Sequence, residues 1–82
     1  MANVKLTAGV PKELYLDAGL TVGNQILIQN SHSTTLKASG SESGLSSDYI
    51  NILPQHSAVN ENGDLEAWVV SFNDAVINVI EV

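Results

Sequence analysis

The chain has 82 residues, with three lysines, no arginine, nine carboxylates, no cysteine and a formal net charge of -6. A single domain of this length buries only about 60 to 65 per cent of its unfolded surface. Without cysteine for a disulfide or a thiolate zinc site, association with other subunits is the remaining stabilising device. The acidic balance opposes the phosphate field of nucleic acid and of anionic membranes, and argues against binding to either.

The opening MANVKLTAGV lacks a basic end followed by a sustained apolar run, so it does not read as a signal peptide. A soluble protein made in the cytoplasm is expected. The segment 18–36 carries no charge, yet polar residues interrupt it too often for a bilayer span.

Alternation of apolar and polar residues dominates, and no apolar 3.6-residue period persists over ten positions. In NVKLT, Val4 and Leu6 alternate with Lys5 and Thr7. In ELYLD, Leu14 and Leu16 alternate with Tyr15 and Asp17. Both read as strands with one buried face. Pro11 suits the start or edge of the second strand, and Gly9 and Gly19 mark the turns around it.

NQILIQN places Ile26 and Ile28 on one face and Gln25, Leu27 and Gln29 on the other. NSHS carries turn chemistry, because asparagine and serine side chains bond nearby backbone. TTLKA then reads as a return strand. Residues 39–48, SGSESGLSSD, offer only Leu45 to bury and read as a mobile loop at an exposed rim.

YINIL resumes alternation with Ile50 and Ile52 inward, until Pro54 and QHSAVNEN break it. A long connection or a switch of the chain between sheets is expected there. Asn62-Gly63 suits a tight type I′ hairpin, with a short strand at 58–60 pairing with the next one.

That next strand puts Trp68, Val70 and Phe72 on one face and Ala67 and Val69 on the other; it reads as central or covered by another subunit. FNDA gives the last turn. VINVIEV then places Val76, Ile80 and Val82 on one face and Ile77 and Val79 on the opposite one. About seven short strands separated by turn signals argue for one all-β domain over 1–82, a small antiparallel sandwich or barrel.

Chemistry is sparse. His32 and His56 are 24 positions apart in polar context, without the spacing of a metal pair, and read as loop histidines. Symmetric copies of either could still meet at an oligomer axis around an ion. NENGDLE fails the calcium-loop pattern, because with Gly63 as sixth position Ala58 and Val69 fall at the ligating ends. No G-x-S-x-G elbow or phosphate-binding glycine loop occurs. Carboxylates such as Glu61, Asp64 and Glu66 sit around a turn where solvent keeps them ionised. No enzyme activity, catalytic residue, metal or cofactor is expected. Trp68 reads first as core, whereas Tyr15 and Tyr49, among polar neighbours, read as contact residues.

The segments LDAGLTVGNQILIQNSHSTTLKAS, ILPQ and GDLEAWVVSFNDAVINVIEV resemble those of small structural proteins of tailed-bacteriophage virions. The resemblance covers most of the chain from Asp17 onward. It implies a capsid decoration or head-tail accessory protein, located in the virion and bound to the major capsid protein or another virion protein as a homo-oligomer. Tyr15, Tyr49, Trp68, Val76, Ile80 and Val82 are the expected packing residues. A neck or tail adaptor is the close alternative. A small cell-surface or carbohydrate-binding module is the more distant one, with Tyr49, Asn51, His56 and the 39–48 loop as its recognition rim.

Overall fold

The computed structural model describes residues 2–60 and 63–82 and shows a two-layer antiparallel β-sandwich of eight strands. The strands are β1 (Ala2–Leu6), β2 (Lys12–Glu13), β3 (Ile26–Gln29), β4 (Leu36–Ser39), β5 (Ile50–Ile52), β6 (Ser57–Val59), β7 (Trp68–Ser71) and β8 (Ala75–Glu81). One sheet, here A, runs β1-β8-β3-β6; the other, B, runs β2-β7-β4-β5. Every pairing is antiparallel. Among the described residues no helix is long and apolar enough to cross a membrane.

The core follows the alternation. Val4 and Leu6 from β1, Ile26 and Ile28 from β3, Leu36 and Ala38 from β4, Val69 from β7, and Ile77 and Val79 from β8 meet between the layers. These inward sets interdigitate as the side chains of two stacked sheets do. Polar or mixed residues fill the outward positions, with exceptions described below.

Six of the seven links between consecutive strands cross from one sheet to the other; only β4 and β5 form a hairpin. TTLKA therefore gives a strand but not a return strand: β4 pairs with β5 and β7 in the sheet opposite β3. The expected switch between sheets after Pro54 is present, from β5 to β6. The strand at 58–60 is β6, but it pairs with β3 and not with β7. Asn62 lies outside the described residues, and Gly63 donates its N–H to the Gly23 carbonyl.

ELYLD is not a strand. Leu14–Ala18 forms a short helix, α1, whose first free N–H groups, Tyr15 and Leu16, donate to the Glu13 carboxylate. The same carboxylate accepts the Ala67 N–H, tying the helix start to β7. Gly19 closes the helix in the left-handed region at φ 67°, which costs a glycine little. Leu14 and Tyr15 point into the core while Leu16 is 81% exposed. A four-residue L-Y-L-D alternation is too short to separate a strand from one helical turn.

Tyr15 is consequently 2% exposed and is not a surface contact. Its hydroxyl donates to the Asn24 carbonyl at 2.5 Å and accepts from Asn60 Nδ2 at 2.8 Å. Asn60 Oδ1 in turn accepts the Ile26 N–H, so this phenol stitches α1 to the start of β3 and the end of β6.

The 39–48 segment is the β4–β5 hairpin loop and contains a 3₁₀ turn over Ser43–Ser46. Leu45 buries as expected, and Ser39 Oγ donates to the Asp48 carbonyl across the loop base. Gly44 leaves no room for a Cβ, which would overlap Ser39 Oγ.

Asn30 continues the inward parity of Ile26 and Ile28 and is 1% exposed. Its Nδ2 faces the carbonyls of Thr34, Ile52 and Leu53 at 2.7, 3.0 and 3.2 Å, and its Oδ1 accepts the His32 N–H. Its backbone N–H reaches the His56 carbonyl, and its carbonyl accepts the Gln55 N–H. The β-turn at 53–56 closes with His56 N–H on the Leu53 carbonyl and holds Gln55 at φ 66°. Proline in the second position and a positive φ in the third make it type II, where glycine or asparagine is usual. Gln55 keeps that conformation with its side-chain amide on the Ser31 carbonyl.

At the opposite end Glu81 accepts the Thr21 N–H at 2.5 Å. That bond, ahead of smaller effects, holds its carboxyl below the ordinary glutamate value of 4.5. A carboxyl with a depressed folded pKa contributes stability above its unfolded value and loses it as pH falls through the folded one. Glu81→Gln is expected to be slightly less stable than the parent at pH 7, with the two urea midpoints converging below about pH 4. A difference independent of pH would show that the charge of Glu81 is not what matters.

Candidate functional surfaces

The sandwich presents two outward sheet faces and one open side. On the outer face of sheet A, register places Leu27 beside Val59 on one flank and Ile80 on the other. The three form an apolar row across β6, β3 and β8. Val76 lies on the same face of β8, opposite Lys5, and Val82 continues the same parity just past the strand. Val59, Val76 and Val82 are exposed, and Leu27 and Ile80 half-buried. The expected packing residues Val76, Ile80 and Val82 thus share one face, to which the structure adds Leu27 and Val59.

On the outer face of sheet B, β7 presents Trp68 and Val70, with Phe72 just beyond its end. The expectation that Trp68 belongs to the core is corrected. Ala67, Val69 and Ser71 are the buried set, and Phe72 is 70% exposed. The strand is nonetheless central in its sheet, between β2 and β4. The inward residues of this segment, Ala67, Val69 and Ser71, neighbour Leu14 and Leu36: the Ala67 carbonyl accepts the Leu14 N–H, and Ser71 lies opposite Leu36. Lys37 on β4 extends over two rings, its Nζ 4.5 Å from the Tyr49 centroid and 5.4 Å from that of Phe72. Rings at such distances attract an ammonium through their quadrupole.

The open side lies between the edge strands β5 and β6. A cleft of about 460 Å³ enters there. Its apolar lining comes from the inward positions Ile28, Ala38, Ile50, Ala58 and Ala67, with Val59 of the outer face of sheet A reaching its edge. Ile50 faces inward, opposite Ala38, as its parity predicts, but it is 57% exposed because this side of the sandwich is not closed over it. The rim carries Tyr49 and Trp68 together with the carboxylates of Asp48, Asp64 and Glu66. Trp68 Nε1 donates to Glu66 Oε1 at 2.6 Å, which fixes the indole against the rim.

Among the described residues no group of three or more histidine, cysteine, aspartate or glutamate side chains could hold a metal ion. The two histidines are linked through Asn30, whose side-chain Oδ1 accepts the His32 N–H and whose backbone N–H donates to the His56 carbonyl. The His32 Nδ1 atom is buried without a hydrogen-bond partner among the described residues, whereas His56 Nδ1 lies 2.9 Å from the Pro54 carbonyl. Sequence reasoning missed the cleft, since it arises from residues 28 to 68 converging only in three dimensions.

Comparison of the chain with protein-family models, curated proteins and solved structures gives no match. The functional reading therefore rests on the surfaces themselves and on the sequence resemblance.

Proposed function

We propose that this protein is a non-enzymatic structural component of a tailed-bacteriophage virion, made in the host cytoplasm and attached in several copies to the major capsid protein or another virion protein. The observation that carries this reading is the outer face of sheet A, where β8 is apolar on both sides. An antiparallel sheet that faces water alternates apolar-in with polar-out. Here Val76 and Ile80 join Leu27 and Val59 on the outer side. An apolar patch on a small acidic domain is characteristic of a protein-binding face. Burial by a neighbour would also supplement a core limited by chain length.

The glycan-binding reading is less well supported by the arrangement of its rim. Tyr49 already holds Lys37 against its ring, and His56 sits in the turn after β5, not beside the 39–48 loop.

Purified protein is expected to form an oligomer in light scattering across a concentration series and to co-sediment with undecorated phage shells. The doubly charged variant Leu27→Glu/Ile80→Glu, with unchanged circular dichroism, is expected to lose at least about tenfold in shell binding, as removal of central apolar contacts does. A parent protein that stays monomeric and indifferent to shells would reject the proposal, and saturable binding to glycans instead would favour the recognition module.

A further inference from the structure

The cleft on the open side of the sandwich meets the outer face of sheet A only at Val59, and its acidic rim gives it a different chemistry. From the combination of its lining and rim, we infer that it receives an extended basic peptide segment of a partner protein, with lysine or arginine side chains alternating with apolar ones.

Three observations select that occupant. First, the floor is apolar, with Ile50 left largely open although it faces inward. An aliphatic side chain entering there would take the place that a core neighbour occupies elsewhere between the sheets. Second, Asp48, Asp64 and Glu66 stand at the rim, and among the described residues no lysine, arginine or histidine lines the cleft. A cationic occupant is thus favoured by local charge as well as by the net charge of -6. Third, β5 and β6 bordering the cleft are both edge strands of their sheets. Edge strands present unpaired backbone groups that an extended peptide can use, with alternate side chains reading the surface on either side. A peptide of period two would put one set of side chains on the floor and the other on the acidic rim.

Trp68, the sole tryptophan, borders the cleft and reports directly on it. The probe is an acetylated, amidated hexapeptide of alternating lysine and valine, compared with its glutamate-valine counterpart at low salt. The basic peptide is expected to change Trp68 emission saturably. Asp48→Asn should weaken it roughly 2- to 5-fold, the range of an exposed ion pair. Raising salt to about 0.5 M should weaken it further by screening. Ile50→Ser, at an exposed position, should leave the circular dichroism unchanged and reduce affinity without altering the salt dependence. Absence of a saturable response at about 1 mM peptide, or equal binding of the acidic peptide, would overturn the inference. So would displacement of the basic peptide by an uncharged oligosaccharide. Because shell binding is tested at Leu27 and Ile80, which do not line the cleft, and peptide binding at Asp48 and Ile50, which do, failure of either proposal leaves the other readable.

Discussion

Removal of residues 75–82 is expected to abolish cooperative folding altogether. β8 is the second strand of sheet A and pairs with β1 along one side and β3 along the other. Its loss leaves both without their partner, and it removes Ala75, Ile77 and Val79 from the buried set. Each large-to-small change in a core typically costs about 1 to 5 kcal/mol, and a domain of this size has roughly 4 to 12 kcal/mol in total. Circular dichroism and urea titration of a chain ending at Asp74 should show no sigmoidal transition. The comparison that gives this result meaning is Val76→Ser/Ile80→Ser, which alters only the outer side of the same strand. It should keep a cooperative transition while impairing assembly. A folded truncated chain would mean that sheet A closes without its centre.

The second large effect concerns Asn30. Asn30→Ala is expected to destabilise by about 2 to 4 kcal/mol, because buried carbonyls left without a donor carry their desolvation cost. For a domain of this size that corresponds to a fall of roughly 10 to 25 °C in Tm. Asn30→Asp should be no better, since a carboxylate cannot donate to the carbonyls of Thr34, Ile52 and Leu53. Asn30→Ser should fall between, being able to donate to one of them. A thermal shift near zero for the alanine variant would show that the loops at 31–35 and 53–56 are held by other contacts.

These two residues sets illustrate what was legible in the chain. β8 was readable as a strand with two apolar faces because its alternation runs for seven residues. Asn30 was readable as turn chemistry, and its Oδ1 does bond the backbone two residues on. Its burial could have been inferred too, since 26, 28 and 30 share one parity, but an asparagine beside serines suggests solvent. The ELYLD helix escaped because its cap is a glutamate in place of the usual serine, threonine, aspartate or asparagine. Tyr15 went wrong with it, since a one-turn helix buries adjacent residues where a strand would separate them. Pairing partners were the least legible feature: alternation says which face a residue takes but not which sheet the strand joins. Trp68 shows a related limit, because parity alone does not say which of two faces is the inner one.

The alternation of the strands between layers also bears on how the chain acquires its structure. With one hairpin and six crossings, nearly every ladder joins segments far apart in sequence, a topology that folds slowly for its size. Sheet A adds a stricter condition, since β1 and β3 have no contact ladder with each other and wait for β8. During synthesis, the segments preceding β8 must therefore emerge from the ribosome as a chain that cannot close its first layer. The uncharged polar segments and acidic residues of that stretch are a composition that disfavours self-association of such an unfinished chain.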